Sequence, residues 1–231
     1  TFMPDATIFE TLEFKYDTLK SRFRDMAFLT KGLKISLIDK RAGKEKEREF
    51  YYEGGIKEFV EYKNKNKDPL YDKILYFEGE KDGVVVEIAL QHNDSYHEAV
   101  ETFVNNINTI EGGTHLTGFR TALTKVINNY ARSNKMLKDN EDNLTGDDLK
   151  EGLTAIVSIK VEDPQFESQT KIKLGNSEAR TAVDGVLSEQ LTYFLELNPK
   201  IAKVIVNKAI LAQRARIASR KARDVARKST L

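Results

Sequence analysis

Leu153-Thr154-Ala155-Ile156-Val157-Ser158-Ile159-Lys160-Val161 is the stretch whose reading decides the fold. Leu153, Ala155, Val157, Ile159 and Val161 alternate with Thr154, Ser158 and Lys160. That period of two predicts a strand with one face on a core. A polar loop, Asp163 to Asn176, follows it. Then Val183, Val186, Leu187, Leu191, Phe194 and Leu195 recur at three and four, which predicts a helix ended by Asn198-Pro199. Upstream, Leu116, Phe119, Leu123, Val126, Ile127 and Tyr130 mark a second amphipathic helix. Strands and helices interspersed in this way predict an α/β or α+β fold.

Outward from that centre, residues 74–90 read as a hairpin turning at Asp82-Gly83, with Val84, Val86, Ile88 and Leu90 on one apolar face. Ala99 to Ile107 reads as one further strand and Gly112-Gly113 as a loop. Residues 133–147 are polar and read as a mobile connection. Thr145, ahead of Asp147-Asp148, has the chemistry of a helix cap. Near the start, residues 1–5 read as extended and residues 10–30 as a helix stopping at Gly32. Leu33, Ile35 and Leu37 predict a strand. A charged turn from Lys40 to Glu49 leads to Phe50-Tyr51-Tyr52 as its partner. Gly54-Gly55 marks a domain boundary, giving regions 1–53 and 54–231, and residues 56–63 a short helix. From about Lys200 to Lys228 runs a long helix, roughly 40 Å at 1.5 Å per residue. Val204, Leu211, Ala218 and Val225, seven apart, with Ala215 and Ala222, suggest a narrow packing seam.

Composition sets outer limits. The chain has 231 residues, of which 40% are hydrophobic and 32% charged, with a mean hydropathy of −0.50. That is ample for a buried core and argues against both a membrane protein and a disordered chain. With no Cys, disulfide scaffolds, thiolate metal sites and thiol nucleophiles are excluded, and a reducing cytoplasm fits. The sequence opens on Thr1 and reads as a piece of something longer. Its net charge of +1 hides a segregation: residues 200–231 hold ten basic residues and one acid, a net +9, while the remaining 27 basic and 35 acidic residues leave −8. A basic end suits an anionic partner such as nucleic acid or an acidic protein surface. A solvated helix face would carry the same charges.

Candidate chemistry is sparse. His92, His97 and His115 lack the i, i+4 spacing of a zinc helix, so hydrogen-bonded or solvated histidines are expected and no metal site. Neither phosphate-binding glycine motif, G-x-x-x-x-G-K-[ST] or G-x-G-x-x-G, occurs. One loop stands out: Asp163-Pro164-Gln165-Phe166-Glu167-Ser168-Gln169-Thr170-Lys171. If it is extended, Gln169 and Lys171 point the same way and both can approach one anion, Lys as a mobile charge and Gln as a donor. A lysine in a polar loop is also simply solvated.

Several segments, in collinear order over essentially the whole chain, resemble one family. Gln169-Thr170-Lys171 with Leu174-Gly175-Asn176-Ser177-Glu178 looks like the QTK loop of the bacterial type IIA topoisomerase ATPase subunits. Asn105-Asn106-Ile107, Glu111-Gly112-Gly113-Thr114-His115 and Gly118-Phe119-Arg120 fit the same pattern. So do Phe2-Met3-Pro4-Asp5, Tyr52-Glu53-Gly54-Gly55-Ile56 and Thr145-Gly146-Asp147-Asp148 with Glu151-Gly152-Leu153. Within the family the gyrase branch is the nearer match, with topoisomerase IV as the alternative.

The resemblance implies that residues 1–53 are the end of a GHKL (Bergerat) ATPase domain. It implies that residues 54–231 are a transducer domain, ribosomal-protein-like, with a left-handed βαβ crossover against the usual handedness. By motif match, Lys171 contacts the γ-phosphate of ATP in the neighbouring nucleotide domain, with Gln169 beside it. Arg120 becomes a candidate for the wall of a DNA-admitting cavity; an ordinary surface arginine is the other reading. The family's catalytic Glu, Mg-binding Asn, adenine-reading Asp, ATP lid and dimerising arm all precede the first residue here. ATP and Mg are therefore expected in the whole protein and not with this chain alone, which should be monomeric and inactive. Expected partners are DNA, the protein's own nucleotide domain and the companion gyrase A protein in an A2B2 assembly. A different class stays open: a non-enzymatic nucleic-acid-binding α/β domain with a basic helical tail.

Overall fold

The computed structural model describes residues 2–229. One compact unit ends at Phe59 and a second begins at Val60. In the first, α1 (Tyr16–Leu29) lies against a hairpin of β1 (Ile35–Asp39) and β2 (Lys46–Phe50). The helix starts at Tyr16 rather than at residue 10, because the three-and-four spacing that would hold it to the hairpin begins only there. Ala27, Leu37 and Phe50 form its small core, with Tyr16, Leu19, Phe23, Ile35 and Tyr52 packed on it. The expected charged turn is shorter than its charge suggested. Strand β2 runs Lys-Glu-Arg-Glu-Phe and is exposed except at Phe50, so solvated charged side chains are compatible with pairing. Phe28 stacks on Tyr52 at 3.7 Å and on Phe59 at 4.6 Å.

Helix α2 (Ile56–Asn64) follows Gly54-Gly55 and carries the chain into the second unit. There a five-stranded sheet has the order β3-β4-β8-β5-β6. Strands β3 (Leu75–Lys81) and β4 (Val84–His92) form the expected hairpin, turning at Asp82-Gly83. The expected strand at 99–107 is instead a second hairpin, β5 (Ala99–Val104) and β6 (Ile107–Asn108). Asn105 and Asn106 both take left-handed φ, at 49° and 66°, which asparagine tolerates and a two-residue hairpin turn needs.

Of these five strands, β8 (Leu153–Lys160) is last in sequence and central in space. It pairs antiparallel with β4 and parallel with β5. A parallel partner requires a crossover, and α3 (Thr114–Ser133) supplies it. The alternation predicted for β8 is real in orientation but not in exposure, since every residue from Leu153 to Ile159 is buried. Leu153, Ala155, Val157 and Ile159 meet α3 and α4 (Ser177–Leu197) in the main core. Thr154 and Ser158 lie under the opposite face, where Thr154 Oγ1 donates to Asn64 Oδ1 at 2.7 Å. Gln91, Asn93 and Asn64 complete that buried polar cluster. Gly118 on α3 lets α4 come close: a Cβ there would collide with the Arg180 backbone.

The polar connection after α3 is pinned rather than mobile. Asn128 bonds the Leu144 backbone in both directions, with Nδ2 donating to its carbonyl at 2.9 Å and Oδ1 accepting from its amide at 2.8 Å. Arg132 donates to Lys138 O, Glu141 O and Asn143 Oδ1. Leu137, Leu144 and Leu149 are buried. Thr145 caps no helix. Its amide and hydroxyl both donate to Asp148 Oδ2, inside a turn.

Helix α5 (Pro199–Ser229) is the long basic helix. Its buried face is Ala202, Ile205, Val206, Ala209, Ile210 and Ala212, not the predicted seven-residue seam, of which Leu211 and Val225 are about two-thirds exposed. A straight helix on a globular core follows 3.6 residues per turn, not 3.5. The last anchor is Arg216, which donates to the buried Asp148 carboxylate through Nε (2.7 Å) and Nη2 (2.9 Å). Residues 218–228 beyond it are exposed.

Two histidines are built into this interior as neutral rings. His92 Nδ1 bonds the Tyr71 hydroxyl at 2.8 Å, and burial, helped by Lys208, lowers its pKa to about 4. His115 Nε2 meets Thr109 Oγ1 at 3.0 Å, and burial lowers it to about 4 as well. Unfolded, both titrate near pH 6.5, so below that pH the unfolded chain binds more protons than the folded one. Stability is therefore full above pH 6.5 and falls as pH drops toward 4, by up to about 1.4 kcal/mol per pH unit for each ring. Denaturant titrations at pH 7.5, 6 and 5 check this, and equal midpoints at all three would contradict it.

Candidate functional site

The Gln169-Thr170-Lys171 segment sits at the tip of a short hairpin that leaves the end of β8. Glu167 N donates to Lys173 O at 3.0 Å and Gly175 N to Gln165 O at 2.8 Å. Phe166 bridges Leu174 across the stem. Lys173 and Leu174 are also β9, pairing in parallel with β7 (Gly112–Gly113), so the glycine pair read as loop is a strand. The stem is thus fastened on both sides. Val161 begins the excursion under a two-way bond with the Asn105 side chain, at 2.8 and 3.0 Å.

The tip is a turn, not an extended segment. Lys171 N donates to Ser168 O at 3.0 Å, and Lys171 takes a left-handed φ of 57°. Gln169 and Lys171 are therefore not aligned by alternation as expected, because side chains two apart share a side only along extended backbone. Both residues are nonetheless exposed together at the tip. The Lys171 ammonium lies 6.0 Å from the Phe166 ring centroid. The nearby carboxylate of Glu167 pairs with Lys173 at 3.0 Å, and among the described residues no carboxylate pairs with Lys171 at the tip. A primary ammonium held this way is suited to meet an external anion.

Arg120 lies on α3, beside the stem. Its Nη2 donates to Glu98 Oε2 at 2.9 Å, and the side chain is 40% exposed. Arg120 Nε and Glu98 Oε1 are buried without a hydrogen-bond partner. A cavity of about 260 Å³ joins Arg120 to the hairpin, lined also by Thr114, Thr117, Glu167 and Lys173. On the other flank Arg120, Thr121, Lys125 and Asn143 border an open groove of about 540 Å³. The structure therefore brings Arg120 next to the stem, while Lys171 projects from the far end of the same hairpin. Sequence reading did not single out Glu98 or Asn176. Glu98 is distant in sequence from its partner, and Asn176 figured only as the end of the polar loop and within the Leu174–Glu178 motif. Among the described residues no group of three His, Asp or Glu side chains is placed to hold a metal ion. None of the described helices is long and apolar enough to cross a membrane.

The DNA gyrase B family profile matches residues 55–225. The chain belongs to the DNA gyrase B family. It is 55% identical over 230 residues to the DNA gyrase B protein of Streptococcus pneumoniae, a match covering 99% of this chain and 36% of that one. The chain thus spans about a third of that relative's length. Among solved structures, the 43K ATPase domain of Thermus thermophilus gyrase B, in complex with an aminocoumarin, superposes with a TM-score of 0.81 at 40% identity, covering 96% of this chain and 59% of that one. The topoisomerase IV ATP-binding domain of Francisella tularensis, in complex with a small-molecule inhibitor, gives 0.76 at 25% identity, covering 93% and 57%. The mixed α/β architecture of gyrase B ATPase-domain structures is thus the architecture of this chain.

Gly113 fixes how the stem meets α3. Its φ is 131°, and a Cβ there would overlap the Leu174 backbone. Gly113→Ala is expected to destabilise the chain by about 2 kcal/mol and to loosen the hairpin; thermal melts with proteolysis of residues 163–175 check both effects.

Proposed function

We propose that this chain is the transducer part of the ATP-hydrolysing gyrase B protein, with residues 1–53 closing its GHKL nucleotide domain and residues 54–231 relaying the state of the nucleotide. In this reading the parallel β5–α3–β8 unit is the left-handed crossover of a ribosomal-protein-like fold. The observation that supports the relay best is the hairpin tip. A fastened stem presents the Lys171 ammonium at an exposed turn that also carries Gln169. That pair fits a terminal phosphate, which takes a point charge and a hydrogen-bond donor.

The mechanism follows from differential contact. In the whole gyrase B protein, ATP and Mg would be held by residues outside this chain, and the ion would supply neutralisation of phosphate charge. Lys171 docks on the γ-phosphate, where its charge stabilises negative charge more strongly in a closed, dry site than in water. Once that phosphate has left, Lys171 loses its partner and the balance between docked and undocked arrangements shifts. The movement passes to DNA strand passage, with the gyrase A protein as the partner in an A2B2 enzyme. The homologous topoisomerase IV protein would use the same parts, and the family match favours gyrase.

Lys171→Ala in the whole gyrase B protein is expected to lower ATP turnover by at least about 100-fold while nucleotide binding persists. Turnover near the wild-type rate would refute the assignment. A second reading concerns DNA. Arg120 borders a groove with Lys125, and phosphates are bound there without sequence preference. Arg120→Gln is expected to weaken DNA stimulation of the ATPase and to make its salt dependence shallower by about one charge; an unchanged slope counts against contact. The non-enzymatic nucleic-acid-binding reading predicts instead tight DNA or RNA binding by this chain alone at moderate salt.

A further inference from the structure

Asn176 precedes α4 in the position where an asparagine normally accepts a hydrogen bond from the first-turn amides. It makes no such cap. The residue is 4% exposed, and its amide is turned toward the hairpin instead. Oδ1 accepts from Gln165 N at 2.6 Å. Nδ2 donates to Asp163 O at 3.1 Å and to Glu178 Oε1 at 2.6 Å, the latter on the first turn of α4. One buried side chain therefore holds the outgoing strand of the hairpin at two points and fastens it to the helix start. The returning strand is already joined to that start through Gly175. From Gln165 the chain needs only Phe166, Glu167 and Ser168 to reach Gln169 at the tip.

We propose that Asn176 is the positioning residue for Lys171, tying the stem to α4 so that force on the ammonium at the tip reaches the helix instead of being absorbed in a slack loop. This rests on Lys171 acting as the phosphate contact. Asn176 touches no nucleotide in this scheme and acts only through the lysine. A stem released at Asp163 and Gln165 would let the tip drift by an ångström or more, enough to cost a large factor in the catalysed step without costing ground-state binding. Helix α4 packs along α3 and the sheet, so the clasp also provides the mechanical path by which docking is felt in the core.

The experiment uses the whole gyrase B protein with three variants. Asn176→Ala removes all three bonds. Asn176→Asp keeps an acceptor for Gln165 N and can cap α4, but loses both donors and sets a second carboxylate beside Glu178. Lys171→Ala is the reference for the contact itself. Thermal melts, nucleotide affinity measured with a non-hydrolysable ATP analogue, and kcat with KM for ATP are recorded. The expected result is a fall in kcat of about 10- to 100-fold in both Asn176 variants, with analogue affinity within twofold of wild type and Asn176→Asp melting lower than wild type but still folded at the assay temperature. If Asn176→Ala does not fold, Asn176→Asp alone decides. Normal kcat in Asn176→Asp, with Lys171→Ala inactive, overturns the clasp and leaves the phosphate contact standing. Loss of analogue affinity in parallel with kcat also overturns it, because that is the mark of a general structural defect. Normal turnover in Lys171→Ala removes the phosphate contact itself, and the clasp with it.

Discussion

Burial of β8 on both faces is the constraint from which the rest of the second unit follows. Seven consecutive residues, Leu153 to Ile159, lie out of solvent between β4 and β5. A central strand of this kind leaves its backbone no partner but its neighbours, and an unpaired buried amide or carbonyl is costly. The strand must therefore be inserted in one register, with Leu153, Ala155, Val157 and Ile159 toward α3 and α4. Its polar side chains, Thr154 and Ser158, meet the other side, where Thr154 donates to Asn64 and accepts from Asn93. A one-residue slip would exchange the two sets and bury hydroxyls in the apolar core. Because the register is fixed, the point at which the chain leaves the sheet is fixed too, and that point is the base of the hairpin carrying Lys171.

The hairpin and α5 show two ways of carrying charge away from a core. At the hairpin, neighbouring charges cancel in the Glu167–Lys173 pair, and a single cation stands at the tip. On α5 the apolar anchorage ends near Ala212, and one ion pair to the buried Asp148 closes the anchored section. Burial by itself pushes the Asp148 carboxyl up. The Arg216 hydrogen bonds and those from Thr145 more than offset it, and the net shift is downward. Asp148 is thus a charged group in the interior at neutral pH, stable there because its oxygens are met by donors. Past Arg216 the helix carries Arg220, Lys221, Arg223, Arg227 and Lys228 on exposed turns, which is where much of the +9 segregation of the sequence resides.

Much of this architecture was legible because it is local. Periodicity located α3, α4, β8 and the β3–β4 hairpin to within a few residues, since each buries a face whose spacing is dictated by its own backbone geometry. The failures share one cause. The seven-residue seam on α5, the cap at Thr145, the mobile connection and the extended tip were all judged from residues adjacent in sequence. For α5 and the connection, packing beyond the immediate neighbours decided the outcome, through the unit's core and Asn128; at Thr145 it was the turn closed on Asp148, which Arg216 holds. At the tip it was the Ser168–Lys171 turn, closed inside a fastened stem.

By itself, then, the amino-acid sequence determined the elements, the charge segregation and, through ordered motifs, the family, because these depend on residue type and near spacing. Only the tertiary structure decided that Asn176 bonds the hairpin and Glu178 rather than the first-turn amides of α4, that Arg120 pairs with Glu98, and that no carboxylate among the described residues pairs with Lys171. Those outcomes depend on which side chains meet across 22 residues for Arg120 and 13 for Asn176. Such meetings are set by how layers pack around β8, which no local pattern encodes.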